Sequence, residues 1–103
     1  MSLVDWRRFT GKTAWDALDI AEIEGATVRI HWTDQPYKWH VNDGEEVFLV
    51  LDGAVDMHLR EDGAERIVEM GAGDIFHAGI GTEHVARPRG PARILVVEKK
   101  GSV

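Results

Sequence analysis

The sequence predicts an all-β fold, on three observations. Eleven glycines punctuate the 103 residues at short intervals. The segments between them are rich in β-branched and aromatic residues. No long stretch repeats its apolar residues with the roughly 3.6-residue period of a helix.

In chain order, residues 1–24 are expected to form an N-terminal arm packed on a barrel of residues 25–103. Trp6, Phe9 and Trp15 are mixed there with Arg7, Arg8 and Lys12 and show no clear period. Between Gly25 and Pro36, Val28, Ile30 and Trp32 alternate with Thr27, Arg29, His31 and Thr33, the pattern of a strand with one buried face. His31, and His58 farther on, therefore read as facing solvent or the outside of a sheet. Pro36 forces an edge or a bend. Val47-Phe48-Leu49-Val50-Leu51 is apolar on both faces, so that strand needs a core on one side and a second sheet or a second chain on the other; a homodimer would supply the cover. Asp52-Gly53 and Asp62-Gly63 read as hairpin turns, because glycine takes the positive φ that tight turns demand. Val55, Met57 and Leu59 alternate between them. Ile67 to Met70, Asp74 to Ala78, Val85 and Ile94 to Val97 add short strands at regular spacing, and a barrel or sandwich follows.

Composition narrows the function. Eighteen acidic against twelve basic residues give a net charge of -6, which argues against a nucleic-acid partner, because phosphate binding needs clustered Lys and Arg. The longest apolar run is five residues, whereas a membrane span needs about 20, so no membrane partner is expected. The first residues lack the charged and apolar regions of a secretory signal, and a cytoplasmic location is the expectation. With no cysteine, thiolate zinc sites, iron–sulfur clusters and thiol nucleophiles are excluded, which leaves His, carboxylate and amide groups as metal ligands.

Such groups occur at strand spacing. His40, Asn42, Glu46, Phe48 and Val50 share one face of an extended chain, so an imidazole, an amide and a carboxylate stand at one mouth of a barrel with apolar residues beneath. His84 follows the turn Gly79-Ile80-Gly81 and brings a second imidazole to the same mouth. Asp43-Gly44 reads as a turn or bulge that aims Glu46, with Glu45 as the solvated neighbour. Either imidazole alone would read as a ring hydrogen-bonded at a rim; their convergence with Glu46 points to a metal or polar-ligand site. His77 reads as structural or mouth-lining. Trp32, Tyr37 and Trp39 read as core or dimer packing, or as a mouth on which a sugar or aromatic ligand stacks.

These residues resemble the two motifs of the cupin superfamily, in its small single-domain, cupin-2-like form. The first motif, G-x5-H-x-H-x3,4-E-x6-G, is matched by His40, Glu46 and Gly53, with Asp34 in place of the opening Gly and Asn42 in place of the second His. The second, G-x5-P-x-G-x2-H-x3-N, is matched by Gly73, Gly81 and His84, with Gly79 and Pro88 in place of the proline and asparagine. The closing stretch Arg93 to Glu98, followed by Gly101-Ser102-Val103, is similar to the last strand of that group. The resemblance implies a double-stranded β-helix (a jelly-roll barrel), usually a homodimer, with one divalent metal (Fe, Mn, Ni or Zn) at His40, Asn42, Glu46 and His84. An amide in place of imidazole weakens such a site.

The function so implied is a metal-dependent enzyme of isomerase or dioxygenase type, acting on a small carbohydrate or organic acid. The alternatives are a non-catalytic small-ligand-binding or sensor barrel with a degenerate metal site, and a structural dimer whose site is vestigial. Gly53 and Gly81 are expected at positive φ.

Overall fold

Residues 1–102 are described by a computed structural model; Val103, the end of the closing stretch, lies outside the described residues. Among the described residues a 3-10 turn, Trp6–Arg8, precedes nine strands: β1 (Asp16–Ile23), β2 (Ala26–Thr33), β3 (His40–Val41), β4 (Glu46–Asp52), β5 (Val55–Glu61), β6 (Ala64–Met70), β7 (Ile75–Ala78), β8 (Glu83–Pro88) and β9 (Ala92–Lys99). They form two antiparallel sheets, ordered β1-β2-β9-β4-β7 and β3-β8-β5-β6. This is the expected jelly-roll, or double-stranded β-helix. Among the described residues no helix is long and apolar enough to cross a membrane.

The core lies between the sheets. Phe48 and Val50 of β4 and Ile94 and Val96 of β9 meet Val55, Met57 and Leu59 of β5. The alternation read from Val55, Met57 and Leu59 is that of the buried face. β4 buries Phe48 and Val50 and turns Val47, Leu49 and Leu51 outward, where they remain only partly covered.

Strand β2 departs from its expected orientation. Directly paired residues of an antiparallel sheet project to the same side. Arg29 pairs with Val96, which pairs with Phe48; His31 pairs with Ile94, which pairs with Val50. Arg29, His31 and the fully buried Thr33 therefore share the side of the core, and Val28, Ile30 and Trp32 lie on the outer side. The outer side is apolar because it too is covered. Arg93, paired with Trp32, donates from Nε to the Phe9 carbonyl at 2.7 Å and from Nη2 to Thr10 Oγ1 at 3.3 Å, while Nη1 meets Asp52 at 2.7 Å. Gly11 then lies against the Trp32 ring, where a Cβ would stand 2.9 Å from it. Ile30, at 2% exposure, is buried on that outer side. Periodicity reveals two faces but not which one looks inward.

The segment expected as an arm also contains an element. Asp16–Ile23 is a full strand at the edge of the five-stranded sheet, joined to β2 through Glu24 (φ 50) and Gly25 (φ 79). Asp62 (φ 50) and Gly63 (φ 78) join β5 to β6 in the same two-residue, positive-φ manner, as expected. Asp52-Gly53 does not make a hairpin. β4 and β5 belong to different sheets, and the chain crosses between them at Gly53, whose φ is +83 and whose Cβ would meet the Pro91 carbonyl at 2.6 Å. Both the conformation and the space admit glycine alone. Gly53→Ala is expected to lower the unfolding free energy by about 2–3 kcal/mol, combining the left-handed penalty with the clash. Urea denaturation would show this as a lower midpoint; a change of a few tenths would contradict it.

Candidate functional site

The barrel mouth is built where β3 and β8 pair. His40 stands directly opposite His84 in that register, and their ring centroids are 4.3 Å apart. Glu46 opens β4 on the facing sheet, with Phe48 and Val50 beneath it on the same side. One ligand atom each from His40, Glu46 and His84 can be chosen so that all three lie within 4.8 Å of one another. His40, Glu46 and His84 meet as expected, but not on one extended strand: the chain bends after Val41, and β3 and β4 lie in facing sheets, so Glu46 reaches the two imidazoles across the mouth.

Each donor is held by a defined partner. His40 Nδ1 is 3.1 Å from the Lys38 carbonyl, which can only accept, so the proton sits on Nδ1 and Nε2 keeps its lone pair. Burial lowers the His40 pKa and the neighbouring His84 adds to this, against the raising effect of the carbonyl and of Glu46. The neutral ring is the ligand form. His84, 2% exposed, directs Nε2 at Asn42 Oδ1 (2.5 Å) and Glu46 Oε1 (3.2 Å), with Nδ1 3.4 Å from Met57 Sδ. The sulfur is a weak acceptor, so Nδ1 can take the ring proton when Nε2 is needed as a ligand.

Asn42 is 8% exposed and belongs to the same cluster. Its Oδ1 accepts from His84 and its Nδ2 donates to Glu46 Oε1 at 3.5 Å. It bridges two of the three donors and fixes their orientation. The set fits a divalent metal: two imidazoles able to present Nε2, one carboxylate, and an open side toward a cavity.

That cavity, of about 160 Å³, contains residues the sequence reading did not select. Trp15, from the segment before β1, lines it with Tyr37, their centroids 5.1 Å apart at 65°. His31, expected on the outside, lines it too, a consequence of the inverted β2. Glu98 is the third addition. It follows Ile94 and Val96 at strand parity and pairs with Glu46; that parity was a usable signal. Of the remaining candidates, Tyr37 lies at the mouth, packed edge-on to His40 at 5.4 Å, whereas Trp39 stacks under the Arg60 guanidinium at 3.8 Å. His77 is exposed, on the outward row with Val47, and its Nε2 meets Glu45 Oε1 at 3.0 Å. His58 projects outward from β5 between the inward Met57 and Leu59, as expected. Gly81 has the expected positive φ of 87.

Glu46 and Glu98 are adjacent carboxyls in one row, an arrangement that favours one shared proton. Burial pushes Glu46 up, but the hydrogen bond and charge of His84, with the Asn42 amide, hold it below the ordinary carboxyl range. Glu98 is pushed up to about 7 by burial, then by the charge and hydrogen bond of Glu46. A carboxyl raised in the folded state stabilises the fold below its unfolded pKa, and that stability is lost as pH rises through the folded value. In metal-free protein the Glu98 contribution to the unfolding free energy is therefore expected to fall between about pH 4.5 and pH 8, while the lowered His31 and His40 contribute in the opposite sense. The drop is of order 1 kcal/mol after allowance for the half-exposed position of Glu98, and Glu98→Gln removes this slope. A wild-type profile flat or rising over that range, relative to Glu98→Gln, would contradict the shared proton.

Comparison with known proteins places this geometry. No curated protein sequence matches the chain. Among solved structures, a cupin-2 domain containing protein from Shewanella frigidimarina is 22% identical with TM-score 0.78, over 92% of this chain and 88% of its own. An RmlC-like cupin protein from Desulfovibrio desulfuricans is 18% identical with TM-score 0.78, over 96% of each chain. Hydroquinone 1,2-dioxygenase from Sphingomonas, solved with 4-hydroxybenzoate bound, aligns over 86% of this chain but 28% of its own, at 22% identity and TM-score 0.75. At these identities the likeness is one of fold. The cupin-domain family, Cupin_2, matches residues 27–98, from the start of β2 to the Glu98 carboxyl at the mouth, and the chain belongs to that family.

Proposed function

We propose that this chain holds one divalent metal ion (iron, manganese, nickel or zinc) through His40, Glu46 and His84, with Asn42 beside it. On this reading it is a metal-dependent enzyme of isomerase or dioxygenase type, acting on a small carbohydrate or organic acid. The observation that carries the reading is the convergence of two imidazoles and a carboxylate within 4.8 Å at the edge of a ligand-sized cavity. Likeness of fold to a hydroquinone dioxygenase is consistent with it. A bound metal would supply Lewis acidity and an open coordination position for a ligand oxygen.

The chain's own residues do the rest. The Lys38 carbonyl keeps the His40 proton on Nδ1, Asn42 orients Glu46 and His84, and Phe48 and Val96 close the cavity floor to water. Glu98, pushed up to about 7 beside Glu46, can give or take a proton at the mouth. A second copy of the chain covering the outward row Val47, Leu49 and Leu51 belongs to the same reading. One observation favours the other reading, a non-catalytic ligand-binding barrel: Asn42 stands where an imidazole would strengthen the metal.

Elemental mass spectrometry on untagged protein is expected to give about one metal per chain after reconstitution. The double variant His40→Ala, His84→Ala should hold none, and Asn42→His should hold metal more tightly than wild type. No metal in wild type after reconstitution with iron, manganese, nickel and zinc would remove the metalloenzyme reading.

A further inference from the structure

The wall of the cavity opposite β3 and β8 carries a third imidazole. His31 lies on β2, and its Nδ1 is 3.3 Å from the Trp15 carbonyl. A carbonyl only accepts, so the proton is on Nδ1 and the lone pair on Nε2. No hydrogen bond reaches Nε2 among the described residues. Burial lowers the ring's pKa and Arg29 adds to this, against the raising effects of the Trp15 carbonyl, Glu46 and Asp19. The ring is thus neutral at neutral pH, with the basic nitrogen unengaged.

Rings frame this wall. Trp15 meets His31 edge-on at 5.9 Å and Tyr37 edge-on at 5.1 Å, and Tyr37 meets His40 edge-on at 5.4 Å. Phe48 lies at the base. The volume, about 160 Å³, is close to the cavity of about 150 Å³ that takes up one benzene ring in another protein. Arg29, Glu46, Glu98 and Ser102 line the cavity as well, so the preference for a flat ring rests on the ring faces beside His31 and not on a shortage of polar partners.

We propose that His31 is a specificity-determining residue whose Nε2 accepts a hydrogen bond from the hydroxyl of a single-ring, phenol-type ligand held between Trp15, Tyr37 and Phe48. The proposal rests on the reading of the cavity as a small-molecule site, and puts a hydroxylated single-ring compound in place of the carbohydrate or organic acid of that reading. His31 lies outside the His40, Glu46 and His84 set, so its role is separable from metal binding.

The test compares phenol with fluorobenzene, which has nearly the same shape and no donor, by NMR titration of zinc-reconstituted protein with zinc content measured on the same samples. Wild type is expected to bind phenol at least about tenfold more tightly, a single hydrogen bond's worth of discrimination. In His31→Phe the two should bind within about twofold while zinc is retained. Should that variant fail to fold, the ¹⁵N resonance of His31 Nε2 in wild type gives the answer: it should shift with phenol and stay with fluorobenzene. Equal binding of the two probes to wild type, or binding of neither, overturns the proposal. So does a preference that survives in His31→Phe and disappears in His84→Ala, which would place the hydroxyl at the metal. Wild type without zinc would count against the metal reading alone, since the same comparison then runs on the metal-free protein.

Discussion

Asn42, Glu46 and His84 are polar groups buried to 8%, 6% and 2% exposure at the seam of two sheets. A buried polar group left without a partner costs about 1–3 kcal/mol, so these three can sit there only by satisfying one another. They do so as one cluster: His84 Nε2 against Asn42 Oδ1 and Glu46 Oε1, and Asn42 Nδ2 against Glu46. The cluster ties β8 of one sheet to β4 of the other at the open end of the barrel. It also leaves His84 Nε2, a Glu46 oxygen and His40 Nε2 aimed at one small volume. The requirement that stabilises the seam is the one that assembles a metal-ligand set.

Everything around the cluster follows from strand parity. Because β2, β9 and β4 pair in one register, a single row carries Thr27, Glu98 and Glu46. The next carries Arg29, Val96 and Phe48, and a third His31, Ile94 and Val50. The barrel is dry and apolar where these rows meet β5, and polar where they run out past it under Trp15 and Tyr37. That gradient separates a core from a cavity within the same three strands. The raised pKa of Glu98 is a consequence of burial and of placing two carboxyls in one row.

Much of this was legible in the residues. His40, Asn42, Glu46 and His84 were legible as one mouth, although β3 and β4 lie in facing sheets and not on one extended strand, and the alternation of Val55, Met57 and Leu59 gave the inner face of β5. What failed was the sign of the β2 alternation. Apolar Val28, Ile30 and Trp32 suggested the core, but they lie on the outer side, where the N-terminal segment that Arg93 anchors packs against Trp32, a long-range contact of 84 positions between Arg93 and Phe9 that local pattern cannot register. With that sign reversed, His31 and Arg29 move to the cavity. Asp52-Gly53 failed for a related reason: a positive-φ glycine marks a sharp turn without saying whether the chain returns to the same sheet. Asp16–Ile23 mixes polar and apolar residues because it is an edge strand, and it was read with the irregular arm. Glu98 alone was within reach, at the parity of Ile94 and Val96.

The central claim is spatial: one metal, between His40, Glu46 and His84, at the mouth of this barrel. Anomalous diffraction from crystals of the zinc-reconstituted protein, collected on both sides of the zinc edge, tests it most directly. A single strong peak within coordination distance of both Nε2 atoms and a Glu46 oxygen is the expected result. A peak elsewhere on the chain, or none at this site with zinc in excess, would contradict it.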